Sequence, residues 1–425
     1  MVVGIFFLAL IALMLLGVPV AYALGIASAG YMLVEGTSLA MIAQRMVNGA
    51  NSFTMLAIPF FFMAGELMNI SGVTGKIIIM AKALVGHMKG GLAQVNIVAS
   101  VFFAGVSGSA TADTAALGSS LIPAMVKEGY DLDFAAAITV ASSCVGPIIP
   151  PSITLVLYGI LTGTDVGRLL IAGILPGIVI AGTQMIYTHF YSVKMDYPSY
   201  PKATMKEMGK AVTSGFSALM MPVIIIGGTM SGVFTPTESA AIAVFYGIII
   251  GFFVYRNIKP KQFYESLIKV GVNSMNNMLI LAAASCFSWV LTMSKAPDML
   301  VNLMLGITDN KAIMLLLILA LLMFVGFFMQ ASQALVVLAP ILLPVAEAIG
   351  VDPVHFGLIM VVTLTFGGCT PPVGSMLFVV NSITKMGFAR LTKAMLPLYI
   401  PLIAAILLIT FVPQLSLLLP NLMMG

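Results

Sequence analysis

Residues 108–134 read GSATADTAALGSSLIPAMVKEGYDLDF and residues 144–155 read CVGPIIPPSITL, and this pattern occurs twice in the chain. The second copy, quoted from one residue further along the repeat, reads QASQALVVLAPILLPVAEAIGVDPVHF at residues 330–356, and its second part reads TFGGCTPPVGSM at residues 365–376. A single offset of 221 residues relates the copies and matches several glycines and prolines: Pro123 with Pro344, Gly129 with Gly350, Gly146 with Gly367, Pro150 with Pro371, and Pro151 with Pro372. In membrane proteins, apolar segments that glycine and proline interrupt at matching positions indicate two structural repeats around a central binding region.

The composition is that of a protein embedded in a lipid bilayer. Apolar residues make up 60% of the 425 residues and charged residues 8%, whereas soluble domains contain roughly a quarter charged residues. Several apolar runs approach the length of about 20 residues at which a helix crosses the hydrocarbon core: 2–16, 53–68, 169–187, 240–254, 313–328 and 396–412. We therefore predict an all-α polytopic membrane protein.

Motifs of nucleotide hydrolysis and of common catalytic sites are absent from the sequence. The segment SGVTGKI at residues 71–77 lacks the glycine spacing of a P-loop and the Ser or Thr that follows its lysine. The three cysteines show no CxxC spacing, which argues against a metal or disulfide framework. The net charge of +4 reflects loop charges and not a nucleic-acid-binding face. We predict that the chain is not an enzyme and that an ion gradient or another subunit supplies its energy.

Charge placement orients the predicted helices. If the polar linker 191–215 is cytoplasmic, four other loop regions fall on the same side: 76–89, 127–131, 256–269 and 385–393. With the linker they hold 15 of the 19 Lys and Arg residues, as the positive-inside rule predicts. Because 127–131 then lies inside and the matching 348–353 outside, the repeats 1–190 and 216–425 are predicted to be inverted. About eleven transmembrane helices and two re-entrant hairpins leave both termini periplasmic.

Small polar residues interrupt one apolar stretch in each repeat. They lie at Ser107–Thr111 in the first repeat and at residues 328–334 in the second. We predict that each forms the tip of a re-entrant hairpin. Irregular backbone at membrane depth is tolerated only inside protein or beside a watery cavity, so the tips are expected to serve an ion or a substrate. An ordinary kink between packed helices is the alternative.

Each repeat also contains a predicted helix break, GPIIPP at 146–151 and GGCTPP at 367–372. Proline removes an amide donor and obstructs the preceding turn, while glycine frees the backbone. Carbonyl oxygens released at the breaks, together with oxygens of the tips, form a cage that suits Na⁺. We predict no organic cofactor and at least two Na⁺ sites, the first from Ser107, Gly108, Gly146, Ile149 and Pro151, the second from Gln330, Ser332, Gly367, Thr370 and Pro372.

Four acidic residues lie within or beside apolar segments: Glu66, Asp113, Glu238 and Glu347. A carboxylate at membrane depth is a functional candidate, and Asp113 is the strongest because it follows the first tip. It either takes part in the site or caps the returning helix. The predicted oxygen cages favour Na⁺ coupling. Proton coupling through such an acid is the alternative. Glu238 is expected to stabilise a helix start, and Glu66 and Glu347 to lie near membrane boundaries.

Four motifs resemble those of the large membrane (M) subunits of tripartite ATP-independent periplasmic (TRAP) transporters: SGSATADTAALGS at 107–119, VGPIIPPSI at 145–153, GVFTPTESAA at 232–241 and GGCTPPVGSMLF at 367–378. The resemblance covers essentially the whole chain. It implies the ion-transporter superfamily fold and an elevator mechanism. In that mechanism a transport domain, about 92–187 and 311–412, moves against a scaffold formed mainly by the rest.

The resemblance also implies Na⁺-coupled import of an organic acid across the bacterial inner membrane. A periplasmic binding (P) protein would deliver the acid, and a small four-helix membrane (Q) subunit would be the second protein partner. Since no four-helix segment precedes residue 1, we expect that subunit to be a separate chain. The tips read SGSAT at 107–111 and QASQ at 330–333. Stand-alone dicarboxylate carriers typically have Ser-Asn-Thr there, so the tips favour the tripartite branch.

Substrates of the family include C4-dicarboxylates and sialic acid, and the sequence as a whole resembles the sialic acid type. No arginine lies in the predicted site, so helix N-termini, hydroxyls or Na⁺ must meet the carboxylate. Five residues are predicted to contact the substrate: Thr111, Asp113, Ser332, Gln333 and Thr370. A stand-alone Na⁺- or H⁺-coupled carboxylate carrier of the same superfamily is the alternative function. An intramembrane enzyme, from another class, would have only Asp113 as a polar catalytic group at membrane depth.

Overall fold

The computed structural model describes residues 2–308 and 310–424, and every regular element within these ranges is helical, which confirms the predicted all-α fold. Eleven α-helices precede the linker: α1 (Val2–Leu15), α2 (Val20–Val34), α3 (Ala40–Ala50), α4 (Ala57–Ile70), α5 (Val73–Val85), α6 (Gly91–Ser107), α7 (Ala110–Lys127), α8 (Leu132–Ser143), α9 (Ile153–Thr162), α10 (Val166–Ala172) and α11 (Ile174–Lys194). Eleven more follow it within the described part of the chain: α12 (Met205–Met230), α13 (Pro236–Ile249), α14 (Pro260–Ser294), α15 (Ala296–Ile307), α16 (Lys311–Gly326), α17 (Ala331–Ala348), α18 (Pro353–Gly367), α19 (Ser375–Thr384), α20 (Phe388–Met395), α21 (Tyr399–Phe411) and α22 (Gln414–Met424).

Within those residues, seven helical segments are long and apolar enough to cross a membrane: Phe53–Ile70, Val166–Lys194, Met205–Met230, Pro236–Val254, Pro260–Ser294, Ala331–Ala348 and Phe388–Phe411. Ten further apolar helices have 10–17 residues. Short helices of this kind are expected where hairpins and broken helices replace continuous spans. The count of about eleven transmembrane helices stays a prediction, as do the inverted sense of the repeats and the division into transport and scaffold domains.

The 221-residue offset reappears in the helix boundaries. Helix α7 runs from Ala110 to Lys127 and α17 from Ala331 to Ala348, so both ends are displaced by 221 residues. Helices α8 and α18 begin at Leu132 and Pro353, again 221 apart. The repeated sequence therefore folds into repeated elements.

The repeats pack against each other reciprocally. Helix α7 contacts α19 while α17 contacts α9, and α8 contacts α20 while α18 contacts α10. Exchanged pairs of this kind are what a two-fold relation between equivalent units produces. The consequence is that the returning helix of each hairpin lies against the helix that follows the break of the other repeat.

Glycine and proline set the ends of the helices at the first tip and break. Gly108 ends α6 with φ of +62°, a left-handed conformation that glycine adopts without penalty. A methyl group on Gly108 would also collide with the carbonyl oxygen of Pro151. Helix α8 ends at Ser143, before the prolines of the break, and α9 restarts where the Ser152 hydroxyl accepts a hydrogen bond from the Leu155 amide at 3.1 Å. The first tip is thus held directly against the first break.

Helix α14 has 35 residues and packs against α2, α3 and α4. The ammonium of Lys269 on α14 lies 2.9 Å from both carboxylate oxygens of Glu66 on α4. Glu238 forms a reciprocal capping box with Thr235 at the start of α13, which is the stabilising role expected of it.

The linker folds back onto the loop between α7 and α8. The Tyr197 hydroxyl donates to the Asp131 carboxylate at 2.8 Å, and Lys89 pairs with Asp196 at 3.1 Å. Burial and the neighbouring Asp131 carboxylate raise the pKa of Tyr197, so its hydroxyl stays protonated and keeps donating at neutral pH.

Candidate substrate and cation site

A cavity of about 390 Å³ lies where the two tips and the two breaks converge. The first turns of α7 and α17 form part of its wall. Pro147 of the first break and Gly368 of the second break also line it. Helix α14 closes another side, and Phe62 of α4 also lines the space. Elements from both repeats and from the long helix α14 therefore meet at one cavity.

Neutral hydrogen-bonding side chains dominate this cavity. Among the described residues that line it, none is Asp, Glu, Lys, Arg or His. Eleven carry a hydroxyl or a carboxamide: Ser109, Thr111, Thr154, Asn273, Asn276, Asn277, Gln330, Ser332, Gln333, Thr365 and Ser375. Such a lining donates and accepts hydrogen bonds without fixing a charge.

Both hairpins present a helix N-terminus to this cavity. Ser109 precedes α7 and Gln330 precedes α17, and neither side chain accepts a capping hydrogen bond from its helix. The first amides of an α-helix have no partner within the helix, and the aligned peptide dipoles place partial positive charge there. Together the two ends favour a negatively charged ligand group.

The Asp113 carboxylate lies beneath the first tip, outside the cavity lining. Its side chain is 0% exposed, and one oxygen accepts a hydrogen bond from the Ser107 hydroxyl. The other oxygen, Oδ2, has no hydrogen-bond partner, and Asp113 takes part in no ion pair within residues 2–308 and 310–424. A buried carboxylate without a counter-charge is costly, so this group has the chemistry of a cation ligand.

Gly146 faces the unpartnered oxygen of Asp113. A methyl group on Gly146 would overlap Oδ2, and it would come within 3.1 Å of the Ala110 amide nitrogen. Of the predicted first Na⁺ site, Ser107 and Gly146 thus lie at the Asp113 carboxylate, whereas Gly108 lies against the carbonyl oxygen of Pro151. Asp113 does not cap α7, since it lies in the fourth helical position and its hydrogen bond goes back to Ser107.

The second tip and break make a neutral counterpart. A methyl group on Gly367 would collide with the Gly326 backbone, so these two glycines bring their chains into contact. The Val373 amide donates to the Phe327 carbonyl at 3.2 Å, which ties the break to the tip. At the 221-residue offset, Asp113 corresponds to Ala334. Any cation at the second site would therefore meet carbonyl and hydroxyl oxygens only.

The remaining predicted residues are divided between the cavity and its surroundings. Thr111, Ser332, Gln333 and Gln330 line the cavity, whereas Asp113 and Thr370 do not. The Thr370 hydroxyl donates to the Gly367 carbonyl at 2.8 Å. The side chain of Ile149 lies at Gly177 on α11, and Pro372 is exposed.

Sequence reasoning missed the three asparagines of α14. Asn273, Asn276 and Asn277 line the cavity from one helical face, since residues three and four apart are neighbours on a helix. The side-chain amide of Asn277 donates a hydrogen bond to the backbone carbonyl of Asn273 at 2.8 Å. The signal was present as NSMNN at residues 273–277, a polar interruption of an apolar run.

Known proteins are similar to this chain in sequence and in fold. The family model described as "Tripartite ATP-independent periplasmic transporter, DctM component" matches residues 7–415. The chain is 41% identical over 415 residues to the sialic acid TRAP transporter large permease protein SiaM of Vibrio cholerae serotype O1, covering 97% of both chains. It is 36% identical over 429 residues to the C4-dicarboxylate TRAP transporter large permease protein DctM of Rhodobacter capsulatus, covering 97% and 98%. Its fold is similar to the crystal structure of the YdaH transporter of Alcanivorax borkumensis, with a TM-score of 0.63, 15% identity and 88% of each chain covered.

Proposed function

Because the chain belongs to the DctM-component family of tripartite ATP-independent periplasmic transporters, and is thus a multi-pass transport protein, we propose that it is a Na⁺-coupled importer of an organic acid. The substrate would be delivered by a periplasmic binding protein, and a small four-helix membrane subunit would complete the transporter. Relatives named for sialic acid and for C4-dicarboxylates make these the first substrates to test.

The observation that carries the proposal is the unpaired Asp113 carboxylate between the first tip and the first break. Carboxylate, hydroxyl and carbonyl oxygens are the ligands that hard cations prefer. Asp113 and Ser107 provide the first two in contact with each other, and the break provides the Pro151 carbonyl against Gly108 at the tip. Broken membrane helices commonly present such oxygens to Na⁺. We therefore assign Asp113 to the first cation site and not to direct contact with the substrate.

Charge compensation supplies the coupling between ion and substrate. Without a cation, the negative charge of Asp113 opposes the partial positive charge at the N-terminus of α7. A bound Na⁺ cancels that charge, so the α7 and α17 N-termini then attract the carboxylate of the substrate. Each ligand raises the affinity for the other by the same factor, as linkage requires.

An elevator movement fits the position of the cavity. The tips and breaks belong to the predicted transport domain, 92–187 and 311–412, whereas the asparagines lie on α14 outside it. The cavity therefore spans the boundary between the predicted moving and static parts. Displacement of the tips would carry the bound acid away from Asn273 and Asn276, which gives these asparagines a role in one position of the transport domain only.

We expect Asn276→Ala to raise the apparent KM for substrate about 5-fold, because one hydrogen bond contributes about 1 kcal/mol. The measurement is initial uptake into proteoliposomes at varied substrate concentration. Asn302→Ala on α15 is the matched control, since Asn302 is exposed and does not line the cavity. Equal KM values for both variants would remove α14 from the substrate site.

Uptake by proteoliposomes that contain this chain and its small membrane subunit tests the proposed function. The binding protein and an inward Na⁺ gradient are each supplied or omitted, with sialic acid and succinate as substrates. The proposal predicts uptake only when both are supplied. Uptake without a binding protein would favour the stand-alone carrier, and uptake driven by a proton gradient in the absence of Na⁺ would assign Asp113 to proton transfer.

A further inference from the structure

A second cavity, of about 400 Å³, lies away from the site described above. It is a groove between α8, α11, α20 and the turn Leu396–Leu398, so it joins elements of both repeats. Its lining is Asp133, Phe134, Tyr187, Tyr191, Arg390, Lys393, Ala394, Pro397 and Leu398. None of these residues belongs to the proposed substrate or cation site.

Two cations from α20 reach the groove. Arg390 and Lys393 are three residues apart and therefore lie on one face of the helix. The Nε atom of Arg390 is 2.8 Å from Asp133 Oδ1, which leaves the terminal nitrogens of the guanidinium to meet another anion. Lys393 takes part in no ion pair within the described ranges of the chain. With Asp133 counted, the groove carries a net positive charge.

Aromatic rings form the opposite wall. Phe134 and Tyr191 are stacked with centroids 4.5 Å apart, and Tyr187 stacks on Tyr191 at 5.9 Å. Pro397 and Leu398 continue the lining toward the apolar helix α21. The groove thus combines charged, aromatic and apolar side chains.

This combination of basic, tyrosine and apolar side chains is typical of protein segments at the boundary of a bilayer. Tyrosine concentrates at membrane interfaces, and Lys and Arg concentrate at the cytoplasmic one. Helix α20 begins within 385–393, one of the five basic regions that the charge distribution predicts to be cytoplasmic, and both Arg390 and Lys393 belong to that region. Basic pockets between membrane helices on that side suit the phosphate of an anionic lipid.

We propose that this groove binds the headgroup of an anionic phospholipid, with Arg390 and Lys393 holding the phosphate and the exposed Pro397 contacting the acyl chains. Arginine suits this role because its planar fork meets two phosphate oxygens at once. Asp133 pairs with the Nε atom and so leaves the two terminal nitrogens of that fork available. Because α8 and α11 belong to one repeat and α20 to the other, a bound lipid bridges the two repeats.

Native mass spectrometry of the purified chain tests the proposal, with dioleoylphosphatidylglycerol and dioleoylphosphatidylcholine as probes. We expect Arg390→Gln/Lys393→Gln to bind phosphatidylglycerol roughly 30-fold more weakly than the wild type, since each basic residue contributes about 1 kcal/mol. Phosphatidylcholine, whose choline offsets the charge of its phosphate, is expected to bind the wild type more weakly than phosphatidylglycerol does. The charge-preserving variant Arg390→Lys/Lys393→Arg is expected to bind phosphatidylglycerol more tightly than the double glutamine variant, which separates lost charge from lost folding.

Lys385→Gln is the matched control, because Lys385 lies in the same basic region but does not line the groove. An equal loss of phosphatidylglycerol binding in this variant would overturn the proposal in favour of diffuse surface charge. Equal binding by the wild type and the double glutamine variant would also overturn it. Glycerol 1-phosphate is the third probe, and competition as strong as that of the lipid would assign the groove to a soluble phosphate.

Discussion

Asp113→Asn is expected to lower Na⁺-driven uptake about 100-fold or more and to shift the half-saturating Na⁺ concentration upward by a similar factor. The substitution keeps the size of the side chain and an oxygen that accepts from Ser107, but it removes the negative charge. Removing one partner of a buried charge pair costs about 3–5 kcal/mol, which corresponds to roughly 100-fold or more in cation affinity. The measurement is initial uptake as a function of external Na⁺.

The stability of the Na⁺-free protein separates this role from a structural one. A buried carboxylate without a partner is costly, so in the absence of Na⁺ the Asp113→Asn variant should unfold at the same temperature as the wild type or at a higher one. Asp165→Asn is the control, because Asp165 caps α10 by accepting from the Arg168 amide at 2.7 Å and asparagine caps equally well. A lower unfolding temperature for Asp113→Asn, with unchanged Na⁺ dependence, would refute the assignment.

Gly367→Ala is expected to lower the free energy of unfolding by about 1–3 kcal/mol, the usual cost of inserting an atom into a closed core. It is also expected to reduce uptake by at least 10-fold. The added methyl group would meet the backbone carbon and oxygen of Gly326, and a backbone cannot rotate aside as a side chain does. Relief of that overlap moves α16 away from α18 and so displaces the second tip, whose Gln330 and Ser332 line the cavity. Thermal unfolding in detergent and proteoliposome uptake measure the two effects.

Gly182→Ala provides the matched control for this prediction. Gly182 lies within α11, and no atom of another residue would come within 4 Å of its added methyl group. Alanine is also the better helix former, so this variant should be as stable as the wild type. If Gly367→Ala retained wild-type stability and uptake, the close approach of Gly326 and Gly367 would be needed neither for folding nor for transport.

The sequence was sufficient to predict the helical class and the repeated elements. Glycine and proline act locally on the backbone, so their spacing marked where α7 and α17 begin, and the 221-residue offset recurred in the boundaries of both helices. The capping role of Glu238 was predictable for the same reason, since its partner Thr235 is three residues away.

The parts of the site that depend on long-range packing were not predictable. Asp113 follows the first tip in the sequence, but the contact of its Oδ2 atom with Gly146 depends on how the break after α8 packs against the tip. The asparagines of α14 lie far along the chain from both tips, so nothing local in the sequence places them beside the site. Such contacts between distant segments need the fold before they can be recognised.

The most direct test of the account is the binding of Na⁺ to the purified chain without substrate or binding protein. Thermal unfolding is followed while NaCl replaces choline chloride at constant ionic strength, with KCl as the comparison, because a ligand that binds the folded state alone raises its stability. The account predicts that Na⁺ raises the unfolding temperature of the wild type in a saturable manner, that K⁺ does not, and that Asp113→Asn abolishes the effect. Equal responses to Na⁺ and K⁺, or an unchanged Na⁺ response in Asp113→Asn, would contradict a sodium site at the first tip.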